Sequence, residues 1–325
     1  MKHNIKITLI LLGMFLLTQF IGLYVVNTYS TSQKIDGQVL NVTDAPPLPY
    51  GMETPPVEKE SDYFSFFYSI IIAFVIAIAL LFFLTKFKAE FILKLWFFIV
   101  VTLALGITIN SFLPLFKWAS LIALAIALPI AFIKIYRTGF LVHNLSELLI
   151  YPGIASVFVP ILNLPTMIIL LVLISIYDMW AVWHSGIMQK MAKYQIQKLN
   201  VFSGFFVPYA SKKVKDKIKF LKEKYASKKI SQKQLDKHKI KVNVALLGGG
   251  DIIFPIITSG VMLKSYGFNT LLGISVPLAS IFVILGATLG LAYLFMFSEK
   301  KKFYPAMPFI STGIFLGMIL SWLIL

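Results

Sequence analysis

Ala245-Leu-Leu-Gly-Gly-Gly-Asp-Ile-Ile-Phe-Pro255 sets one aspartate, Asp251, in a run that is otherwise apolar or glycine. The remainder of the chain decides whether that run lies in a membrane or in a soluble core. Of 325 residues, 58% are hydrophobic and 14% charged, and the mean hydropathy is +0.83. A soluble domain carries about a quarter of its residues as charges. Apolar runs of about twenty residues, enough to cross a hydrocarbon core of roughly 30 Å, recur from end to end. They are continuous, not alternating, which excludes a β-barrel. The fold class is an all-α membrane protein.

Apolar windows predict nine transmembrane helices, at about 5–26, 63–84, 93–113, 118–136, 145–162, 166–183, 243–264, 270–297 and 304–325. The fifth is the weakest, because Glu147, Pro152 and Pro160 interrupt it; a proline kinks a membrane helix and frees a carbonyl. The first starts with Lys2 and Lys6 like a signal peptide, but its apolar stretch is longer than the usual one, so it reads as a retained helix. Residues 27–62, with Pro46, Pro47, Pro49, Pro55 and Pro56, form a soluble loop without a core of its own. The chain then divides into an N-terminal half, 1–183, a basic loop, 184–242, and a C-terminal half, 243–325.

The net charge of +16 is concentrated. Residues 184–241 hold 16 lysines against Asp216, Glu223 and Asp236, a surplus of 13. Lys86, Lys88 and Lys94, then Lys134 and Arg137, then the basic loop, then Lys300, Lys301 and Lys302 join alternate pairs of spans. By the positive-inside rule the N-terminus and loop 184–242 are cytoplasmic and the C-terminus extracytoplasmic. Within the loop, Val214, Ile218, Leu221 and Tyr225 are spaced for an amphipathic helix on anionic lipid over 211–239. Arginine and interleaved aromatics are lacking, which argues against nucleic acid. With no cysteine and with four scattered histidines (His3, His143, His184, His238), nothing calls for a metal or cofactor.

Acids deep inside the spans are scarce. Each costs roughly 2.5–3.5 kcal/mol at a helix centre. Asp178 lies in Leu173-Ile-Ser-Ile-Tyr-Asp-Met-Trp180 and Asp251 in the run quoted above, whereas Glu147 and Glu299 are placed at span ends, within reach of water. Asp178 precedes His184 by six residues, about 9 Å of helix, and Asp251 follows Asn243 by eight, about 12 Å. On antiparallel helices both then fall at one depth near the cytoplasmic side. Two close carboxylates cannot both ionise and share a proton. The ionised one can deprotonate a water, and the protonated one can polarise a carbonyl and protonate the leaving amine.

Gly248, Gly249 and Gly250 weaken the helix before Asp251 by about 1 kcal/mol each relative to alanine and admit close approach of another chain. An unwound substrate could pair there with an exposed backbone edge. Tyr304-Pro-Ala-Met-Pro308 supplies two residues without N–H donors at the start of the last span. Tyr177-Asp178, the Gly248-x-Gly250-Asp251 motif and Pro305-Ala306-Met307, in that order on the sixth, seventh and ninth spans, resemble the presenilin and signal peptide peptidase family. The resemblance implies a presenilin-like bundle and an aspartyl protease that cuts transmembrane segments within the bilayer. By it, Asp178 and Asp251 are catalytic and Tyr177, Gly248, Gly249, Gly250, Pro305, Ala306 and Met307 form the site. Met307 stands where the family has leucine, a volume-conserving change. The charge pattern resembles the presenilin orientation, and the lysine-rich, cysteine-free composition is similar to a prokaryotic, archaeal member. The expected partners are transmembrane helical substrates and anionic lipid; assembly into a homo-oligomer is left open.

Two other classes would rest on the same residues. A proton- or cation-coupled transporter or channel would use the same aspartates, but it predicts an inverted repeat, and the two halves show none. A catalytically silent scaffold leaves the intact aspartates unexplained. The kink-prone glycines and the basic loop lead to an expected resting state with the carboxylates somewhat apart, closing when substrate enters.

Overall fold

A chain in hydrocarbon must satisfy its own N–H and C=O groups, so long apolar runs become helices. The computed structural model describes residues 5–29, 32–35, 38–41, 46–55, 57, 59–87, 89–137, 139–185, 202–209, 243–271, 274–298 and 304–325. Among them nine helices are found: α1 (Ile5–Tyr29), α2 (Glu60–Lys86), α3 (Glu90–Ser111), α4 (Ala119–Tyr136), α5 (Phe140–Phe158), α6 (Leu164–Trp180), α7 (Gly249–Tyr266), α8 (Leu278–Phe297) and α9 (Met307–Ile324). All but α7 are long and apolar enough to cross a membrane, α5 and α6 together with the turns that extend them to Ile161 and His184. The predicted amphipathic helix at 211–239 lies outside the described residues.

Among the described residues three antiparallel pairs accompany the helices: β1 (Ser32–Ile35) with β2 (Gln38–Asn41), β3 (Gly204–Tyr209) with β4 (Asn243–Gly248), and β5 (Asn269–Leu271) with β6 (Ile274–Val276). Two of them correct the predicted spans. Residues 243–248 are extended, so the seventh helix begins at Gly249 and not at Asn243. Residues 269–271 and 274–276 pair as antiparallel strands, so the eighth begins at Leu278. Short apolar runs such as Val244-Ala-Leu-Leu247 suit strand or helix equally by pattern, and here a partner strand wins.

The main core joins α1, α5, α6, α7, α8 and α9, with Leu11, Phe15, Val159, Met167, Leu171, Ile252, Ile256, Val283, Ile310 and Ile314 all buried. A second cluster joins α3, α4 and α5 through Leu105, Ala127, Ala131 and Ile150. Helix α2 stands at the margin; among its described side chains Phe67 is the one large apolar residue that is buried. Helices α8 and α9 are sealed by glycine. Gly286 and Gly290 face Gly313 and Gly317, and a Cβ on any of the four would strike the opposing backbone. Small residues four apart let membrane helices approach this closely.

Candidate active site

Asp178 lies two residues before the end of α6, which leaves the regular helix through a wide turn at Ala181–Ser185. It is buried, at 6% exposure. The N–H of Met307 donates to its Oδ2 at 3.0 Å, and the Ala306 N–H is turned toward it as well. These are the first residues of α9, whose positive end therefore meets a carboxylate. Pro308 in that first turn removes a donor the helix does not need. One turn earlier, Ser175 donates to Ser311 Oγ at 2.9 Å, a second tie between α6 and α9.

Asp251 is the third residue of α7, half-buried. The Gly248 N–H faces its carboxylate, the reach-back geometry of a capping box. The charge of Asp178 acts on Asp251; among the described residues no hydrogen bond joins them. The matched level of the two aspartates thus arises differently from the helix arithmetic. Each sits in a terminal helical turn, and the six residues before Gly249 are strand, not helix.

The three glycines before Asp251 have separate surroundings. A Cβ on Gly248 would touch only Asp251. One on Gly249 would press on Ser203 Oγ and Tyr151 Oη, each at 2.7 Å. One on Gly250 would meet only Phe254, at 3.8 Å. Pro305 and Met307 are buried beside Asp178, with Ala306 half-buried between them. Tyr177 is not brought to the carboxylates. Its ring is 40% exposed and stacks edge-on against Phe74 of α2 at 6.1 Å.

Several residues near the site escaped the sequence reading. Strand β3 pairs with β4 in register Gly204↔Gly248 through Tyr209↔Asn243, and the Gly249 N–H donates to Ser203 O at 3.2 Å. Gly204 has φ +133 and packs against the Leu247 carbonyl, so no other residue fits there. Gln19 of α1, fully buried, donates to Ile252 O at 3.1 Å and braces α7 beside Asp251. Tyr151 of α5 touches Ser203 Oγ at 3.3 Å.

Two charged residues are also placed differently from expectation. Glu147 is not at a span end but two turns inside α5, 1% exposed and paired with Lys134. Lys134, inside the predicted span 118–136, lies in the last turn of α4 and is buried, not open to the connection it was expected to mark. A buried charge needs a partner to offset its desolvation, and each is the other's.

The family model described as signal-peptide peptidase, presenilin aspartyl protease matches residues 45–325. The chain belongs to this family. It is an integral, multi-pass membrane protein with the presenilin-like fold. A solved presenilin-family intramembrane aspartate protease, in a C222 crystal, is 19% identical with a TM-score of 0.57, over 98% of this chain and 99% of that one. A second such structure, in a P2 crystal, is 18% identical with a TM-score of 0.56, over 97% of each. No curated protein matches the chain. Family and fold together make it a presenilin-type aspartyl protease relative, a class that acts on transmembrane substrates.

Proposed function

We propose that the chain is an intramembrane endopeptidase of the Gly-x-Gly-Asp type, with Asp178 and Asp251 as its catalytic pair. The observation that carries this reading is a convergence at one place. Asp178, held by the first amide of α9, and Asp251, in the first turn of α7, lie close enough for the charge of one to act on the other, beside an outer edge of β4 that no further strand among the described residues pairs with.

The strand edge follows from the ladder. Phe206 directs its N–H and C=O away from β4, toward Asn144. In an antiparallel pair such residues alternate with those bonded across, so Leu246, opposite Phe206, also directs its groups outward. Val244 and Gly248 share that phase. Pro208, opposite Val244, fits it, because an outward position needs no N–H for the ladder. The outer edge of β4 therefore runs up to the Gly248 N–H that faces Asp251. A substrate helix that unwinds and adds as a strand to this edge gains backbone hydrogen bonds and brings its next carbonyl to the aspartates.

The pair works with one proton. The ionised carboxylate takes a proton from water, and the hydroxide formed attacks the peptide carbonyl; the protonated one donates to the carbonyl oxygen and passes its proton to the leaving amine. Rate should fall on both sides of the pH at which the singly protonated pair dominates. The amides of α9 stabilise charge on Asp178 without solvent. Tyr177 lines no part of this geometry and acts through α2 packing; Pro305, Ala306 and Met307 hold Asp178.

The lysine distribution supports a cytoplasmic N-terminus and loop 184–242, with that loop on anionic lipid, and an extracytoplasmic C-terminus. Loop 184–242 then connects two halves, each of which carries one aspartate. The test is cleavage of a transmembrane peptide by the purified protein in liposomes. Asp178→Asn and Asp251→Asn should each lower the rate by about 10⁴-fold or more. Cleavage that persists in both variants, or that is absent in the wild type across several peptides, overturns the reading.

A further inference from the structure

A two-stranded hairpin has two outer edges, and among the described residues only one is left without a partner. Helix α5 closes the other with a ladder of buried polar side chains. Asn144 donates from Nδ2 to Phe206 O at 2.9 Å and accepts from the Phe206 N–H at 3.1 Å. One side chain thus makes both bonds that a third strand would make. His143 meets Gly204 O from Nε2 at 2.8 Å. Its Nδ1 lies 3.4 Å from the Lys134 ammonium, which has protons only to give. Nδ1 is therefore the acceptor, and Nε2 carries the proton that goes to Gly204. Glu147 holds Lys134, and Tyr151 reaches Ser203. Residues 143, 144, 147 and 151 share one face of α5, and through them Ser203, Gly204 and Phe206 are gripped in sequence.

We infer that Asn144 and His143 are positioning residues that fix the register of the β3–β4 hairpin and thereby the position of the cut. This rests on the proposed proteolysis at the β4 edge. The physical reason is the weak specification of register in a short two-stranded ribbon. A hairpin held only by its own ladder can slip, and a slip moves every paired group along the strand. Asn144 prevents this because it recognises the N–H and C=O of one residue, and His143 because Gly204 alone can occupy its position. With β3 held, the Gly248 end of β4 stays at Asp251, and a substrate strand on β4 presents the same carbonyl each time. Closing the β3 edge also leaves a substrate one place to add.

The experiment reads where the peptide is cut, by mass spectrometry of the products from a transmembrane peptide in liposomes. Asn144→Ala should move a third or more of the product to bonds one or two residues away and raise KM several-fold, with a smaller fall in kcat. His143→Ala, which leaves both Asn144 bonds in place, should do so to a lesser degree. His143→Gln, which can keep the donor to Gly204, should restore the wild-type pattern. Variants that cut at the wild-type bonds with only a lower rate overturn the inference.

A second measurement needs no change in α5. In Asp178→Asn protein with the uncut peptide, amide exchange at Phe206 should be slow with and without peptide, while Leu246 slows only when peptide is present. Fast exchange at Phe206, or slowing there on peptide addition, also overturns it. Loss of all cleavage in the wild type, by contrast, is the failure of the protease reading and is seen before any α5 variant is made.

Discussion

Glycine does opposite work in two parts of this molecule. Between α8 and α9, Gly286, Gly290, Gly313 and Gly317 are filled from outside by backbone of the opposing helix. Around Asp251 the glycines meet only side chains. The first arrangement makes a rigid pair, and α9 of that pair carries the amides that hold Asp178. The second leaves a strand edge, a helix start and a carboxylate within reach of an incoming chain. One aspartate is thus held by the amides of a tightly closed helix pair, and the other follows glycines that no opposing backbone fills. A protease that must hold its chemistry still while it admits an unwound helix needs both.

The contrast predicts which glycines tolerate a side chain. Gly313→Val should have the largest effect, since its Cβ would strike the Gly286 carbonyl and approach the Gly290 N, all backbone. Overpacking of this kind costs about 3 kcal/mol, read as a fall of roughly 5–10 °C in the melting temperature of the detergent-solubilised protein. An unchanged melting temperature would mean that α8 and α9 are not locked by their backbones. Gly249→Ala should be milder, because what it meets are the hydroxyl ends of Ser203 and Tyr151. A cost of about 1 kcal/mol and a roughly tenfold slower cleavage are expected, as β3 shifts off α5. Adding Tyr151→Phe, which removes one of the two hydroxyls, should return part of the rate. A double variant no better than Gly249→Ala would show that Tyr151 is not the obstacle.

The helices and the aspartates were legible in the sequence for the same reason. Hydrocarbon imposes a length on apolar runs and a penalty on charge, and both are visible one residue at a time. The order of Tyr177-Asp178, Gly248-x-Gly250-Asp251 and Pro305-Ala306-Met307 supplied the family. What escaped depends on pairing between distant segments. Val244-Ala-Leu-Leu247 continues into α7 without a break in hydropathy, and only its pairing with the distant strand Gly204–Tyr209 makes it extended. Gly204-Phe-Phe-Val-Pro-Tyr209, an aromatic and β-branched run bounded by small residues inside a lysine-rich loop, was the available signal. Glu147 looked like a span-end acid because its partner Lys134 comes from another helix, and the crossing of α4 and α5 is not written in either. Tyr177 was carried into the site by its place beside Asp178, but adjacent residues on a helix point about 100° apart, and its ring turned to α2.

Gly250→Ala should be the smallest change to the fold and the cleanest probe of the open side. Its Cβ would meet only Phe254, at 3.8 Å, which is ordinary contact. Alanine is the better helix former by about 1 kcal/mol in a helix interior, and less than that gain is expected in a first turn. The melting temperature should therefore hold or rise slightly, unlike that of Gly313→Val. Cleavage should nonetheless slow a few-fold, because the added methyl stands on an exposed residue next to Asp251, where a strand on β4 would pass. Stability and activity would then move in opposite directions at one position, which a packing role cannot produce. A parallel loss of both would place Gly250 with the sealing glycines, and an unchanged rate would move the path of the substrate to the other face of α7.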